Sequence, residues 1–437
     1  MTFVKSYIVK YMEINKLKSV IIDQREEVEE QLKTVIKRDV DLTKIQKYLS
    51  HPNVLIITGI RRCGKSTLAT MILRGEKFAY INFDDNELIN FRGEDFNKLL
   101  QAFYELYGND LQYLIFDEIQ NISGWELFIS KLRKTKKIII TGSNANLLSM
   151  ELSTHLTGRH IDYYLTTFSF AEYLKYHQVK FSHDDLFSTK KKAEINLHLN
   201  KYIKFGGFPE VYKFGEVMAD NIFDDIINKD ILIRQQIKHK TEFKKVASYL
   251  LANYSQEFTY AKLKNVFEIK NIQTLKNYIE YLRESYLVFI LERFSFKLKQ
   301  QIIAPKKIYA IDNALLGSSS AEFSDNLGKK IENLVFLELK RRSAQDKNES
   351  VFYWQDHAGR EIDFLIKKDK KVAKLIQVAY SLSQLNAKER EIKSLIIGSE
   401  QLKCDDLTIV TMEDDGEEVV GGKKIKIVSL GRFLLDE

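Results

Sequence analysis

The stretch NVLIITGIRRCGKSTLATMIL, Asn53–Leu73, decides the fold. Asn53–Thr58 is an apolar run of the length of a buried strand, and Ser66–Leu73 opens a helix with Leu68, Met71 and Ile72 on one face. Between them, Gly59 and Gly64 bracket Ile60, Arg61, Arg62 and Cys63 in a loop that must curl tightly with its N–H groups turned inward. Residues without a Cβ do that at low cost. Such a loop at a helix N-terminus is a nest for phosphate. Lys65 supplies a cation for the β- and γ-phosphates of a nucleotide, and Ser66, followed by Thr67, a hydroxyl for Mg²⁺. The pattern is G-x-x-x-x-G-K-[ST] with a strand before it and a helix after it, the context the motif requires. ATP and Mg²⁺ are the cofactors it implies.

The chain around it has 437 residues, room for two or three domains. A hydrophobic share of 44%, a charged share of 29% and three prolines describe a globular protein without Pro-rich linkers. No apolar run approaches a membrane span, and MTFVKSYIVKYMEIN lacks the long apolar core of a signal peptide, so a cytoplasmic protein is expected. The two cysteines, Cys63 and Cys404, suit a reducing compartment, with Cys63 as filler in the loop. A formal net charge of +7 permits an acidic partner without demanding one.

Upstream, IIDQREEVEEQLKTVIKR carries Asp23 and Glu26 in capping-box spacing and a stripe of Val28, Leu32, Val35 and Ile36, which predicts a helix starting at Asp23. It is expected to pack on the nucleotide domain or, alternatively, to dimerise. Downstream, Phe78–Phe83 and LQYLIFDE read as strands, the second ending in Asp117-Glu118. Two adjacent carboxylates at the end of an apolar strand are expensive unless used. Beside a phosphate loop the first can serve the metal and the second can orient and polarise the attacking water. Lys137–Thr141 is a further strand, and Ser143 and Asn144 follow it where a polar side chain can meet the γ-phosphate or the water. Arg159 precedes a fifth strand and is a candidate for stabilising transition-state charge, in its own site or a neighbour's.

The spacing of GIRRCGKST, LIFDE, TGSNANLLS, LTGRH, TTFSFAEY and FGGFPEVY resembles the prokaryotic AAA-plus ATPases that carry a C-terminal nuclease-like domain of unknown function. The resemblance runs from about Ile21 to beyond Ser381. It implies a P-loop sheet of five parallel strands, a small helical lid, Lys65 with Ser66 and Thr67 as Walker A, Asp117 and Glu118 as Walker B, and Asn144 as a sensor. It makes Arg159 a finger or second sensor and puts Gly206–Pro209 in the lid near the adenine. The domain boundaries expected are an N-terminal helical segment over 1–45, the ATPase core over 46–175, the lid over 176–240, then 241–310 and 311–437.

From Glu242 the pattern is three short helices and a ribbon, the order of a winged helix. Thr259 is placed to cap the second helix. In the third, Ile272, Leu275, Ile279 and Leu282 form a stripe, leaving Gln273, Thr274, Lys276 and Asn277 outward as types suited to a DNA groove. Lys297, Lys299, Lys306 and Lys307 add charge near the ribbon. A winged helix also serves as a protein-contact module, so a protein partner or a homo-oligomer is the alternative to DNA.

In 311–437 the order helix, three strands, helix, strand resembles the PD-(D/E)XK nuclease core, on Glu332 in the helix, Asp363 in the second strand and Gln377-Val378-Ala379 in the third. Gln377 stands in place of the second acid and Ala379 in place of the lysine, and Lys374 lies at odd spacing on the same strand. A metal-dependent mechanism lacks an acid and its cation there, so a structural, DNA-docking or oligomerising role is expected. A nucleotide-gated nuclease is the alternative.

Overall fold

In a computed structural model of the chain, the residues described are 12–49, 52–144, 156, 158–182, 185, 188–316, 327–345 and 348–435. They form two compact units, Met1–Gly59 with Gly64–Leu165, and Ile60–Cys63 with Thr166–Glu437.

The first unit is built on five strands, β1 (Val54–Thr58), β2 (Phe78–Asn82), β3 (Tyr113–Asp117), β4 (Lys137–Gly142) and β5 (His160–Tyr164). Their order is β2-β3-β4-β1-β5, and every neighbouring pair is parallel. All five residues of β1 are buried. A parallel strand covered on both faces reads as an unbroken apolar run, which is how it stands in the sequence. Aromatic rings fill the core between β3 and its neighbouring helices, among them Phe96 stacked on Phe128 at 4.4 Å and Phe83 on Phe116.

The first helix is longer than its capping pattern predicts. It spans Ile14–Thr34, so Asp23 and Glu26 lie in its interior and its N-cap is Glu13, with no side-chain cap. The buried stripe begins upstream, at Leu17, Val20 and Ile21, and packing of that stripe outweighs a cap. Gln24 fixes the helix to β2, donating to the Asp85 carboxylate at 2.8 Å and accepting from the Asn82 N–H at 2.8 Å.

The second unit begins with the helices Phe170–Tyr176, Thr189–Phe205, Pro209–Phe214 and Glu216–Asp225, the last continuing into a π-helix over Ile226–Ile233. Three helices follow, Lys240–Ala252, Tyr260–Val266 and Ile272–Glu284, with a small antiparallel sheet of β6 (Gln256–Phe258), β7 (Val288–Glu292) and β8 (Lys306–Ala310) in the order β6-β8-β7. Thr259 caps the second of these helices by accepting from the Lys262 N–H. Ile272, at the first turn of its helix, is exposed, and the buried face is formed by Leu275, Tyr278, Ile279 and Leu282.

The helix Leu327–Gln345 and a six-stranded mixed sheet complete the unit. Its strands are β9 (Glu349–Gln355), β10 (Glu361–Lys368), β11 (Lys371–Val378), β12 (Leu407–Thr411), β13 (Gly416–Val420) and β14 (Lys423–Ser429), in the order β13-β14-β12-β11-β10-β9. The helices Leu385–Leu402 and Leu430–Leu435 accompany them. The hairpin of β13 and β14 was not expected from the sequence. Its signal is the Gly421-Gly422 pair, both at positive φ, between Glu417–Val420 and the alternating run Lys423–Val428. No helix among the described residues is long and apolar enough to cross a membrane.

Candidate nucleotide-binding site

Because the strands of the first sheet are parallel, the ends of β1, β3 and β4 deliver their following residues to one edge. Gly59 leaves β1, Asp117 ends β3, and Ser143 and Asn144 follow β4. The loop reaches its helix through positive φ at Gly59 (152°), Arg62 (64°) and Gly64 (95°). Gly64 is the N-cap of Lys65–Ile72, so the first N–H groups of that helix have no intrahelical partner and face the loop. The Lys65 side chain is buried and its Nζ stands 3.8 Å from the Glu118 carboxylate. Ser66 hydrogen-bonds Asp117, and Thr67 is half-buried on the next position.

The two carboxylates are held differently. Asp117 is buried, with Oδ2 accepting from the Tyr80 hydroxyl at 2.6 Å and Oδ1 from the Thr141 hydroxyl. Burial pushes its carboxyl up and the neighbouring Glu118 charge adds to this, while the hydrogen bonds from Ser66, Thr141 and Tyr80 pull it down. The Tyr80 phenol is driven well above its ordinary value by burial and by Asp117. Glu118 has left-handed backbone, φ 52° and ψ 38°, and its N–H donates to the Thr141 carbonyl at 3.2 Å. That conformation turns the chain off β3 and points the carboxylate back at the loop, where it accepts from Ser143 at 3.3 Å and from Gln120. Tyr80, Thr141 and Gln120 escaped the sequence reading. Thr141 alone carried a signal, as a hydroxyl at the end of an otherwise apolar strand.

The loop tip, Ile60–Cys63, groups with the second unit. Ile60 and Cys63 are fully buried, as filler would be. Arg61 makes a two-pronged pair with Asp230 of the π-helix, at 3.0 and 3.1 Å, and Arg62 meets Glu210 and Asp225, the latter at 3.2 Å. Glu210 follows Pro209, the first residue of its helix. The Gly206-Gly207 turn before it is fixed by Asp312, whose carboxylate accepts from the Gly207 N–H at 2.8 Å, and a Cβ on Gly206 would collide with that carboxylate.

Arg159 is placed otherwise than a role in its own site requires. It precedes β5, where His160 pairs with Val54 and Tyr164 with Thr58, and its carbonyl accepts from the Val54 N–H. Arg159 therefore lies at the opening end of β1, with the loop at the other end, a strand length of roughly 17 Å away. An action on the chain's own phosphates is excluded by that geometry.

In the second unit Gln273, Lys276 and Asn277 are exposed and Thr274 is half-buried. The Gln273 amide donates to Asn277 at 2.9 Å, and the Lys276 ammonium stands 5.7 Å over the Tyr260 ring. Of the ribbon lysines, Lys297 and Lys299 are exposed, Lys306 pairs with Glu292, and Lys307 turns inward, against the expectation that it adds surface charge. Glu332, Asp363 and Gln377 do come together. Lys307 Nζ contacts the Glu332 and Asp363 carboxylates, and Gln377 Oε1 accepts from the Asp363 N–H at 3.3 Å. Ala379 lies just past β11, its N–H donating to Val410. Among the described residues no group of three or more His, Cys, Asp and Glu side chains is placed to hold a metal ion.

The phosphate loop, the carboxylate pair and the parallel sheet define an AAA domain, and the family described by that name matches residues 51–174. Two families described as domains of unknown function match residues 196–326 and 327–433. An uncharacterized protein of Methanocaldococcus jannaschii is 36% identical over 403 residues, covering 88% of this chain and 87% of its own. This chain belongs to the same family as that protein. An uncharacterized protein of Haemophilus influenzae is 28% identical over 414 residues, covering 87% and 98%. A Walker-type ATPase of Pyrococcus abyssi aligns with a TM-score of 0.41 at 15% identity, over 66% of this chain and 97% of that one.

Proposed function

We propose that the chain is an Mg²⁺-dependent ATPase that couples ATP binding and hydrolysis to DNA binding. The observation that carries the ATPase reading is the meeting of Lys65, Ser66, Asp117 and Glu118 at one sheet edge. The loop amides and Lys65 bind the phosphates, and Glu118 orients and polarises water. Asn144 meets the γ-phosphate. Two adjacent carboxylates and a serine hydroxyl fit a hard cation, and Ser66 and Asp117 would hold Mg²⁺, which when bound offsets phosphate charge. Arg159 acts, on this reading, in a neighbouring copy's site. The segment 176–240, with Pro209, is the helical lid that the family resemblance implies.

The module over 241–310 is read as a winged helix that presents Gln273, Thr274, Lys276 and Asn277 to DNA, and 311–437 as a PD-(D/E)XK-like domain that does not cut it. A second reading, a switch that binds a protein, is favoured by exposed apolar side chains beside the ribbon, Phe296, Leu298, Ile302 and Ile303. A gel-shift series with duplex DNA, with and without ATP and Mg²⁺ and over a range of salt, tests the choice. Salt-sensitive binding that changes with nucleotide supports the DNA reading. Absence of any shift at low salt favours the protein switch.

A further inference from the structure

A cluster of buried charge joins the ribbon to the C-terminal sheet. Strand β8 alternates, so Lys306 and Lys307 face opposite ways. Lys306 pairs with Glu292 on β7, while Lys307 and Tyr309 point together toward the helix Leu327–Gln345 and strand β10. The Lys307 ammonium, 4% exposed, has three carboxylates around it: Glu361 at 2.5 Å, Glu332 at 3.1 Å and Asp363 at 3.2 Å. Each carboxylate is also held from elsewhere or partly exposed. Glu332 accepts from the Tyr309 hydroxyl at 2.7 Å, Asp363 from the Val378 N–H at 2.9 Å, and Glu361 reaches solvent.

We infer that Lys307 is the resident cation of this cluster, an internal ammonium doing the work of a metal ion and locking the ribbon to the C-terminal sheet. Three arguments carry it. The ammonium, with three donors, has an acceptor for each. The separations from Glu332 and Asp363, 3.1 and 3.2 Å, are within hydrogen-bond reach of an ammonium and longer than the roughly 2.0–2.6 Å shells of Mg²⁺ or Ca²⁺. Burial alone would strip an ammonium of its proton, and here the surrounding carboxylates outweigh it and hold Lys307 well above its ordinary value. The inference is independent of the ATPase and DNA readings. It also changes the meaning of Gln377 and Ala379, since a lysine from another strand takes up the charge of Glu332 and Asp363.

The test uses the full, nucleotide-free chain. For the parent, MnCl₂ after EDTA treatment should leave the melting temperature unchanged. Lys307→Met keeps the apolar stem and removes the charge, and should lower Tm by roughly 10 °C. Mn²⁺ should recover part of that loss by drawing the carboxylates in. The triple variant Lys307→Met, Glu332→Gln, Asp363→Asn removes the cation with the two more buried carboxylates, leaves the partly exposed Glu361 to solvent, and should melt within a few degrees of the parent, even if the single variant does not fold. Mn²⁺ uptake by the parent that Asp363→Asn abolishes would overturn the inference. So would an unchanged Tm in Lys307→Met, a lack of response of that variant to Mn²⁺, or a triple variant that does not fold.

Discussion

Glu118→Gln separates nucleotide binding from hydrolysis, and its size follows from where the carboxylate stands. Glu118 lies 3.8 Å from Lys65 Nζ, and the two side chains are only 14% and 5% exposed. At an effective dielectric of about 20 such a pair attracts by about 4 kcal/mol. The amide keeps the contacts from Ser143 and Gln120 and loses that attraction. Lys65 must leave Glu118 in part to reach a phosphate, and the carboxylate itself repels the triphosphate. If about a third of the attraction opposes ATP, affinity rises about tenfold on substitution. The same change removes the charge that polarises water, and general-base catalysis is worth about a hundredfold to ten-thousandfold. Calorimetric titration with ATP and Mg²⁺ should therefore show a Kd about tenfold lower, and phosphate release should slow by at least about a hundredfold. Hydrolysis at the parent rate would move the base role to another residue. Weaker ATP binding would refute the competition between Glu118 and phosphate for Lys65.

If Arg159, at the start of β5 and away from the loop, acts in a neighbouring copy's site, Arg159→Ala mixed with excess Glu118→Gln recovers turnover through shared interfaces; steady-state ATPase assays of the mixtures check this, and parent-like hydrolysis by Arg159→Ala alone would make it a surface residue. Lys276→Ala with Asn277→Ala should weaken DNA binding and flatten its log–log salt slope by about one unit, leaving basal ATP hydrolysis intact; unaltered DNA affinity would favour the protein switch. Burial and the negative charge of Asp363 push Glu332 up to about 7 against the pull of Lys307. A raised carboxyl pKa means the folded state holds a proton the unfolded chain releases, so this group's contribution falls as pH rises from about 4.5 to about 7. On acidification from pH 8 to pH 5 it should contribute about 3 kcal/mol, and Asp312, pushed up to about 6 by burial, adds in the same direction. Urea unfolding across that range should show the slope flattened in Glu332→Gln, and an unaltered slope would remove Glu332 from it.

Much of the first sheet was legible because one force wrote it. A covered parallel strand must be apolar along its length, and the runs at Val54–Thr58, Tyr113–Asp117 and Lys137–Gly142 could be nothing else of that length beside a phosphate loop. The meeting of Lys65, Ser66, Asp117 and Glu118 was legible because each follows directly from the end of a parallel strand or the loop after it. What surrounds them was not. Tyr80 reaches Asp117 from another strand, and Asp230 reaches Arg61 from 169 residues away, contacts that no local pattern records. Asp23 misled for the reverse reason, since a capping box is a local signal and the apolar stripe before it decided where the helix begins. Lys307 misled because two adjacent lysines read alike in sequence, while alternation along β8 sends Lys306 to Glu292 and buries Lys307 on the other face.

The two acidic clusters differ in a way that decides which can take a cation from outside. In the first, Lys65 stands beside Glu118, the neighbour of the buried Asp117; in the second, Lys307 faces three carboxylates. At Asp117 and Glu118 the lysine stands 3.8 Å from the Glu118 carboxylate, beyond hydrogen-bond reach, and is the first residue of a helix. On the proposed ATPase reading it turns to phosphate, which would leave the carboxylates to a metal that arrives with that phosphate. At Glu332, Glu361 and Asp363 the lysine is in contact with all three, on a strand held in register by β7. Burial and the Asp363 charge raise the Glu332 carboxyl against the pull of Lys307. A divalent ion would have to displace an ammonium that the sheet keeps in place.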